Sequence, residues 1–323
     1  MPSVSIQGVQ HSYELTNAVN AEPVLVFVHG WLLGRRYWDP LIEHLSPSHQ
    51  CLAYDLRGFG ESRLEETDLS SPVDTTTALD LHPAIASSLL EDNQSRYAPA
   101  AYAQDLVLLL KELNISKAWL VGHSLGGSIS LWAAALAPQI VEGVICLNSG
   151  GGIYVKEAFD RFRAAGETML RFRPSWLPHV PLLDLAFGHM MVNQALARTW
   201  GKQRLIDFVA AHPEAALRSL LDSTVPDQVH LLPQVVSLLQ QPVTFIAGLQ
   251  DPVMELKYVY HLASFHKDFQ DGQPNVIEIP NCGHMGMLEQ TDAIAQEIQQ
   301  ILDNSPTKNQ SLPSLNEVVL SNE

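Results

Sequence analysis

Six short apolar runs, each closing on a glycine or a polar edge, recur along the chain with helical patterns in most of the gaps between them. They are "PVLVFVHG" at 23–30, "CLAYDLRGFG" at 51–60, "KAWLVGHS" at 117–124, "VEGVICLNSG" at 141–150, "QPVTFIAGLQD" at 241–251 and "PNVIEIPNCGH" at 274–284. Continuous β-branched runs of this length suit strands buried on both faces. Helical spacing at 98–113, 124–137, 254–265 and 287–302 supplies the intervening elements. Strands alternating with helices predict an α/β fold whose sheet is mostly parallel, joined by right-handed crossovers. Ahead of it, Val4, Ile6, Val9 and Tyr13 alternate around Gly8, which predicts an opening hairpin.

Two stretches interrupt this rhythm. Residues 63–97 are polar and too long for a plain connection, so an elaborated loop is expected, with at most a short helix near 83–91. Residues 153–235 hold only helix-like segments, broken at Pro174, Pro178, Pro181, Pro213 and Pro226. They predict a helical cap inserted into a core made of 1–152 and 236–303. The polar, proline-broken end at 304–323 is expected to be a flexible tail.

"WLVGHSLGGSIS" at 119–130 places one serine between two glycines, after an apolar strand and before an apolar helix. A sharp strand-to-helix turn of this kind projects Ser124 over the strand ends, with the helix N-terminus favouring developing negative charge. Gly122 and Gly126 remove side chains that would collide in the turn. A serine hydroxyl is a poor nucleophile without a base, and the base needs an orienting acid. His284 follows the last strand and Asp251 the one before it, so both leave the sheet edge that carries Ser124. That edge is where open α/β sheets bind ligands. The chain order Ser124, Asp251, His284 is that of one class of serine enzyme. Its oxyanion donors are expected to be the backbone N–H groups of Leu125, next to the nucleophile, and Trp31, in the loop after the first long strand.

Charge and cysteine content narrow the partners. Acidic residues outnumber basic ones by 35 to 19, for a net charge of −16, which argues against nucleic acid. Cys51, Cys146 and Cys282 show no CxxC spacing, and the first residues carry no secretory pattern. The expectation is a reducing, cytoplasmic location. No run reaches the roughly 20 apolar residues of a spanning helix. No metal-ligand spacing appears, and neither metal nor cofactor is expected.

These motifs together resemble the α/β-hydrolase family: "HGW" at 29–31, "DLRGFGES" at 55–62, "GHSLGG" at 122–127, "GLQDP" at 248–252 and "GHMGMLEQ" at 283–290. They run in the family's order across nearly the whole chain. The resemblance implies a mostly parallel central sheet flanked by helices, one antiparallel strand near the N-terminus, and the cap lying over the site. Ser124 stands where dehalogenases and epoxide hydrolases of the family carry aspartate, which argues against those activities. Some members place the acid after the sixth strand; "CLNSGGG" has no carboxylate there, leaving Asp251. Asp55 and Arg57 are read as a structural turn.

The first function to expect is therefore a serine hydrolase of carboxylic esters or related acyl compounds, working through an acyl-enzyme on a small, apolar substrate. Beside the Trp31 indole, candidate substrate contacts are His123 and Met285 next to the reactive residues, and Trp176 and Met190 in the apolar cap. Such a cap is also compatible with transient membrane contact. Two other readings stand beside this one. The same three residues serve carbon–carbon bond hydrolysis or pyruvate elimination in relatives, and a hydrolase scaffold also serves as a non-enzymatic ligand receptor.

Overall fold

In the computed structural model the hairpin and the six apolar runs join one eight-stranded sheet. The structure describes residues 2–18, 23–64, 95–151, 156–224, 226–273 and 275–305. The strands are β1 (Ser3–Ile6), β2 (Val9–Leu15), β3 (Val24–Val28), β4 (Cys51–Tyr54), β5 (Ala118–His123), β6 (Val141–Leu147), β7 (Val243–Gly248) and β8 (Val276–Ile279). Their order is β1-β2-β4-β3-β5-β6-β7-β8. β2 pairs antiparallel with β1 and β4, and every other pairing is parallel. The single reversed strand lies near the N-terminus, as the family resemblance implies.

Helices cover both faces, and the two-residue period of the strands feeds both. Val24, Val26 and Val28 of β3 enter one apolar cluster with Leu106 and Ile129. Leu25 and Phe27 enter a second with Trp38, Leu41, Ile294 and Ile298. The first cluster is backed by α2 (Pro99–Glu112) and α3 (Leu125–Leu136). The second is backed by α1 (Asp39–Leu45) and the C-terminal helix. The helix expected over 287–302 is two, Gly286–Glu289 and Thr291–Asp303. They part at Gln290, whose φ of −135° and ψ of 46° leave the helical region while its side-chain Nε2 donates to the Asn281 carbonyl at 2.9 Å.

Between β6 and β7 run α4 (Lys156–Leu170), α5 (Leu183–His189), α6 (Arg198–Ala210), α7 (Pro213–Ser223) and α8 (Pro226–Leu238). α4 packs on α7, and α5 on α6. α8 instead packs on α3 and on the helix Leu256–Ala263 after β7, with Leu232, Val235 and Val236 in the sheet's own cluster. Position 235, the expected end of the cap, lies inside α8. The helix expected near 83–91, most of the 63–97 insertion and the tail from 306 lie outside the described residues. Among the described residues no helix is long and apolar enough to cross a membrane.

The turn after β4 is a brace. The Asp55 carboxylate accepts from the Arg35 backbone at 2.6 Å, the Arg35 guanidinium, and the Glu61 backbone at 2.9 Å. Arg57 pairs with Asp105 at 3.0 Å, both almost fully buried. Buried ions in this arrangement hold geometry because each is paired and hydrogen-bonded.

Candidate active site

One residue separates β5 from α3, and that residue is Ser124. Its φ of 53° and ψ of −118° put it in a region that side-chain-bearing residues rarely adopt. Such strain persists only where the surroundings over-determine it. Here the Ser124 N–H donates to the Leu147 carbonyl at 3.1 Å, and the Ser149 hydroxyl donates to the Ser124 carbonyl at 2.8 Å. The packing behind the turn leaves no room for side chains. A Cβ on Gly122 would lie 2.3 Å from the Gly126 carbonyl oxygen, and one on Gly126 only 2.1 Å from that of Val28.

The loops after β7 and β8 bring their polar residues to this turn. His284 Nε2 lies 3.1 Å from Ser124 Oγ, and His284 Nδ1 lies 2.8 Å from Asp251 Oδ2. Asp251 Oδ1 accepts from the backbone N–H groups of Val253 and Met254 at 2.8 and 2.9 Å. Burial works to raise the Asp251 pKa, but His284 and the two backbone donors outweigh it and hold the carboxyl below its ordinary range. An ionised Asp251 keeps the proton on Nδ1 and leaves Nε2 free to accept the serine proton.

Two residues missed in the sequence support this line. Asn148 follows β6, in the segment "CLNSGGG" that holds no carboxylate. Its Nδ2 donates to Asp251 Oδ2 and to the Gly283 carbonyl, each at 3.0 Å. Glu289 binds the histidine loop. One carboxylate oxygen accepts from the N–H groups of Asn193 (2.7 Å), Gln194 (3.1 Å) and Gly283 (3.1 Å), and the other from Met285 (3.1 Å). The His284 N–H itself donates to the Met191 carbonyl at 2.8 Å. The base is therefore tied to the segment between α5 and α6. The acid five residues past His284 was a visible signal without a stated role.

His123 Nε2 donates to the His284 carbonyl at 2.7 Å. Burial, and next the neighbouring His284, push its pKa down to about 3, so it is a neutral prop. The loop of Trp31 approaches from β3. A Cβ on Gly30 would lie 2.7 Å from His123 Nδ1 and 3.1 Å from Ser124 Cβ, so glycine permits the approach. Trp31 Nε1 donates to the Ala216 carbonyl at 2.8 Å, which turns the indole toward α7. Leu125 heads α3, where an N–H has no carbonyl within the helix. Neither the Leu125 nor the Trp31 N–H has a hydrogen bond among the described residues.

Ser124 and His284 open on a cleft. Of the candidate substrate contacts, Trp31, His123 and Met285 line it, and Trp176 and Met190 do not. Trp176 is 55% exposed and meets Phe172 edge-on at 6.1 Å. The chain instead turns Met191, at a φ of 61°, into the cleft wall. The Met190 carbonyl is taken up by Arg204 at 2.7 Å. Phe162, Leu220, Met254 and Arg204 complete the wall. Arg204 carried no signal in "GKQRLIDFVA", because helical spacing alone does not say which face meets a cavity.

The family model for the alpha/beta hydrolase fold matches residues 23–178. An uncharacterized protein of Mycobacterium tuberculosis is 23% identical over 93% of this chain and 80% of its own length. A 2-succinyl-6-hydroxy-2,4-cyclohexadiene-1-carboxylate synthase of Enterobacter sp. (strain 638) is 28% identical over 87% of this chain and 92% of its own. Among solved structures, a thermophilic esterase from Thermogutta terrifontis superposes with a TM-score of 0.66 at 21% identity, covering 94% of this chain and 99% of that one.

Proposed function

We propose, from the α/β-hydrolase fold of this chain, that it is a serine hydrolase of carboxylic esters or related acyl compounds. The observation that carries the reading is the unbroken line Ser124 Oγ, His284, Asp251, with contacts of 3.1 and 2.8 Å. Ser124 Oγ attacks the acyl carbon as His284 Nε2 takes its proton. Asp251 stabilises the imidazolium that forms. The N–H groups of Trp31 and Leu125 receive the oxyanion. His284 then gives its proton to the leaving oxygen, and the acyl group stays on Ser124. A water, deprotonated by His284, attacks the acyl-enzyme and releases the acid. The chemistry uses protein groups and water.

The helices from α4 to α7 act as a cap whose apolar residues receive the body of the substrate. The three cysteines are buried free thiols, which fits a reducing compartment such as the cytoplasm.

A fluorophosphonate probe tests the reading. Wild type should be labelled and Ser124→Ala should not, and wild type should turn over p-nitrophenyl esters with a preferred chain length. Folded wild-type protein that resists the probe and leaves every ester intact would overturn it. A second reading, carbon–carbon bond hydrolysis or elimination by the same residues, is favoured by the cation in the cleft, Arg204, since such substrates are anionic. Turnover of a vinylogous diketo acid far above that of an aryl ester would select it.

A further inference from the structure

Arg204 is 8% exposed, yet it lines the same cleft as Ser124 and His284. Its Nη1 donates to the carbonyls of Phe187 and Met190, at 2.6 and 2.7 Å, and so holds the C-terminal end of α5. No ion pair involves it among the described residues, and its Nε and Nη2 have no hydrogen-bond partner there. Among the described residues the cleft wall is largely apolar, with Met191, Leu220, Val253 and Met254, and includes no Asp or Glu. Burial pulls the guanidinium pKa below its ordinary value, opposed by Tyr37 and Glu289. It remains a cation at neutral pH, because arginine starts so high.

An arginine whose only role was to cap α5 has no need to face a cavity. Glu289 attracts the guanidinium without an ion pair, and its oxygens are taken up by four backbone N–H groups. A buried charge with no directly bonded anion is costly, and an anion entering the cleft offsets that cost. The guanidinium fork matches a carboxylate, and water-poor apolar walls strengthen the pairing. Its backbone bonds also fix the fork in advance, so less rotamer entropy is lost on binding. Resting on the hydrolase reading above, we propose that the substrate is an acyl compound carrying a carboxylate, held by the Nε–Nη2 edge of Arg204 while Ser124 attacks the scissile carbonyl.

The test compares matched esters. Mono-p-nitrophenyl adipate is set against p-nitrophenyl hexanoate, and 4-butyryloxybenzoate against phenyl butyrate, so that the carboxylate lies on the acyl side or the leaving-group side. In wild type one carboxylate member should exceed its neutral partner by about tenfold or more in kcat/KM, equivalent to one good charge-assisted contact. Arg204→Gln should erase that ratio, chiefly through KM of the anionic ester. Arg204→Lys should keep part of it, which separates charge recognition from loss of the α5 cap. No preference in wild type, or a ratio unchanged in Arg204→Gln, overturns the proposal. Fluorophosphonate labelling of the same samples reports on the hydrolase reading separately. Where the protein neither labels nor turns over an ester, calorimetry with benzoate decides: binding about tenfold tighter to wild type than to Arg204→Gln sustains the anion site, and equal binding removes it.

Discussion

Replacing Asp251 by asparagine tests the proposed chemistry most sharply, because the structure dictates how the amide must sit. The carboxylate accepts four hydrogen bonds, two on Oδ1 from backbone N–H groups and two on Oδ2 from His284 and Asn148. Asparagine offers one acceptor and one donor. If its NH₂ faced the backbone pair, two fixed donors would be left opposing it. If its oxygen stays on the backbone pair, the NH₂ meets His284, which can respond by moving its proton. Asn148 then still has the Gly283 carbonyl. The second arrangement wins, and it fixes His284 with Nδ1 as acceptor and Nε2 protonated, facing Ser124 with no lone pair to offer. The wrong tautomer costs on the order of 10⁴ in kcat, or about 5 kcal/mol of barrier. The assay is p-nitrophenyl ester turnover by Asp251→Asn, with Ser124→Ala as the floor and melting temperature as the fold control. Retention of kcat within about tenfold of wild type would refute the tautomer argument. Moving the acid across the 3.0 Å gap, as Asn148→Asp with Asp251→Asn, should recover about tenfold or more over the single variant.

Other consequences follow from single contacts. Gly126→Ala drives a Cβ to 2.1 Å from the Val28 carbonyl oxygen, a backbone atom that cannot swing away, so urea denaturation should show a loss of about 3 kcal/mol or failure to fold. Glu289→Gln turns an NH₂ toward the Met285 N–H and weakens three further bonds, which should lower kcat by roughly tenfold and speed amide exchange at 191–194 and 283–285; unchanged exchange would show that Glu289 does not hold the loop. Asp207 accepts from Tyr37 at 2.8 Å, and burial raises its pKa from 3.8 to about 6. A raised folded-state pKa contributes stability in full below the unfolded value and loses it as pH rises through about 6. Asp207→Asn should therefore gain on wild type by an amount on the order of 3 kcal/mol between acid and neutral pH, and parallel stability curves would count against it. Burial pushes the Cys51 and Cys282 thiols up to about 12 and Cys146 higher still, so a thiol reagent at neutral pH should titrate all three cysteines only after unfolding.

What the sequence determined by itself is the scaffold and which residues the sheet edge gathers as candidates for the proposed chemistry, because those rest on local rules. The two-residue alternation and glycine stops of the strands, and the spacing of α2 and α3, follow from backbone geometry that any tertiary context must respect. Ser124, Asp251 and His284 were legible as candidates because each lies in the connection after a parallel strand of one sheet, so topology carries them to one edge. Three things needed the folded chain. Asn148 and Glu289 act through hydrogen bonds to residues more than a hundred positions away or to a loop whose path no local pattern encodes. The cleft wall depends on which side of a short irregular helix faces inward, so the chain turned Met191 in where Met190 was expected, and left Trp176 outside. Arg204 reads in sequence as one more charged helix position. Only the packing of α6 against α5 and its place on the cleft wall bury it with no ion pair among the described residues, and that burial is the basis of the proposed anion site.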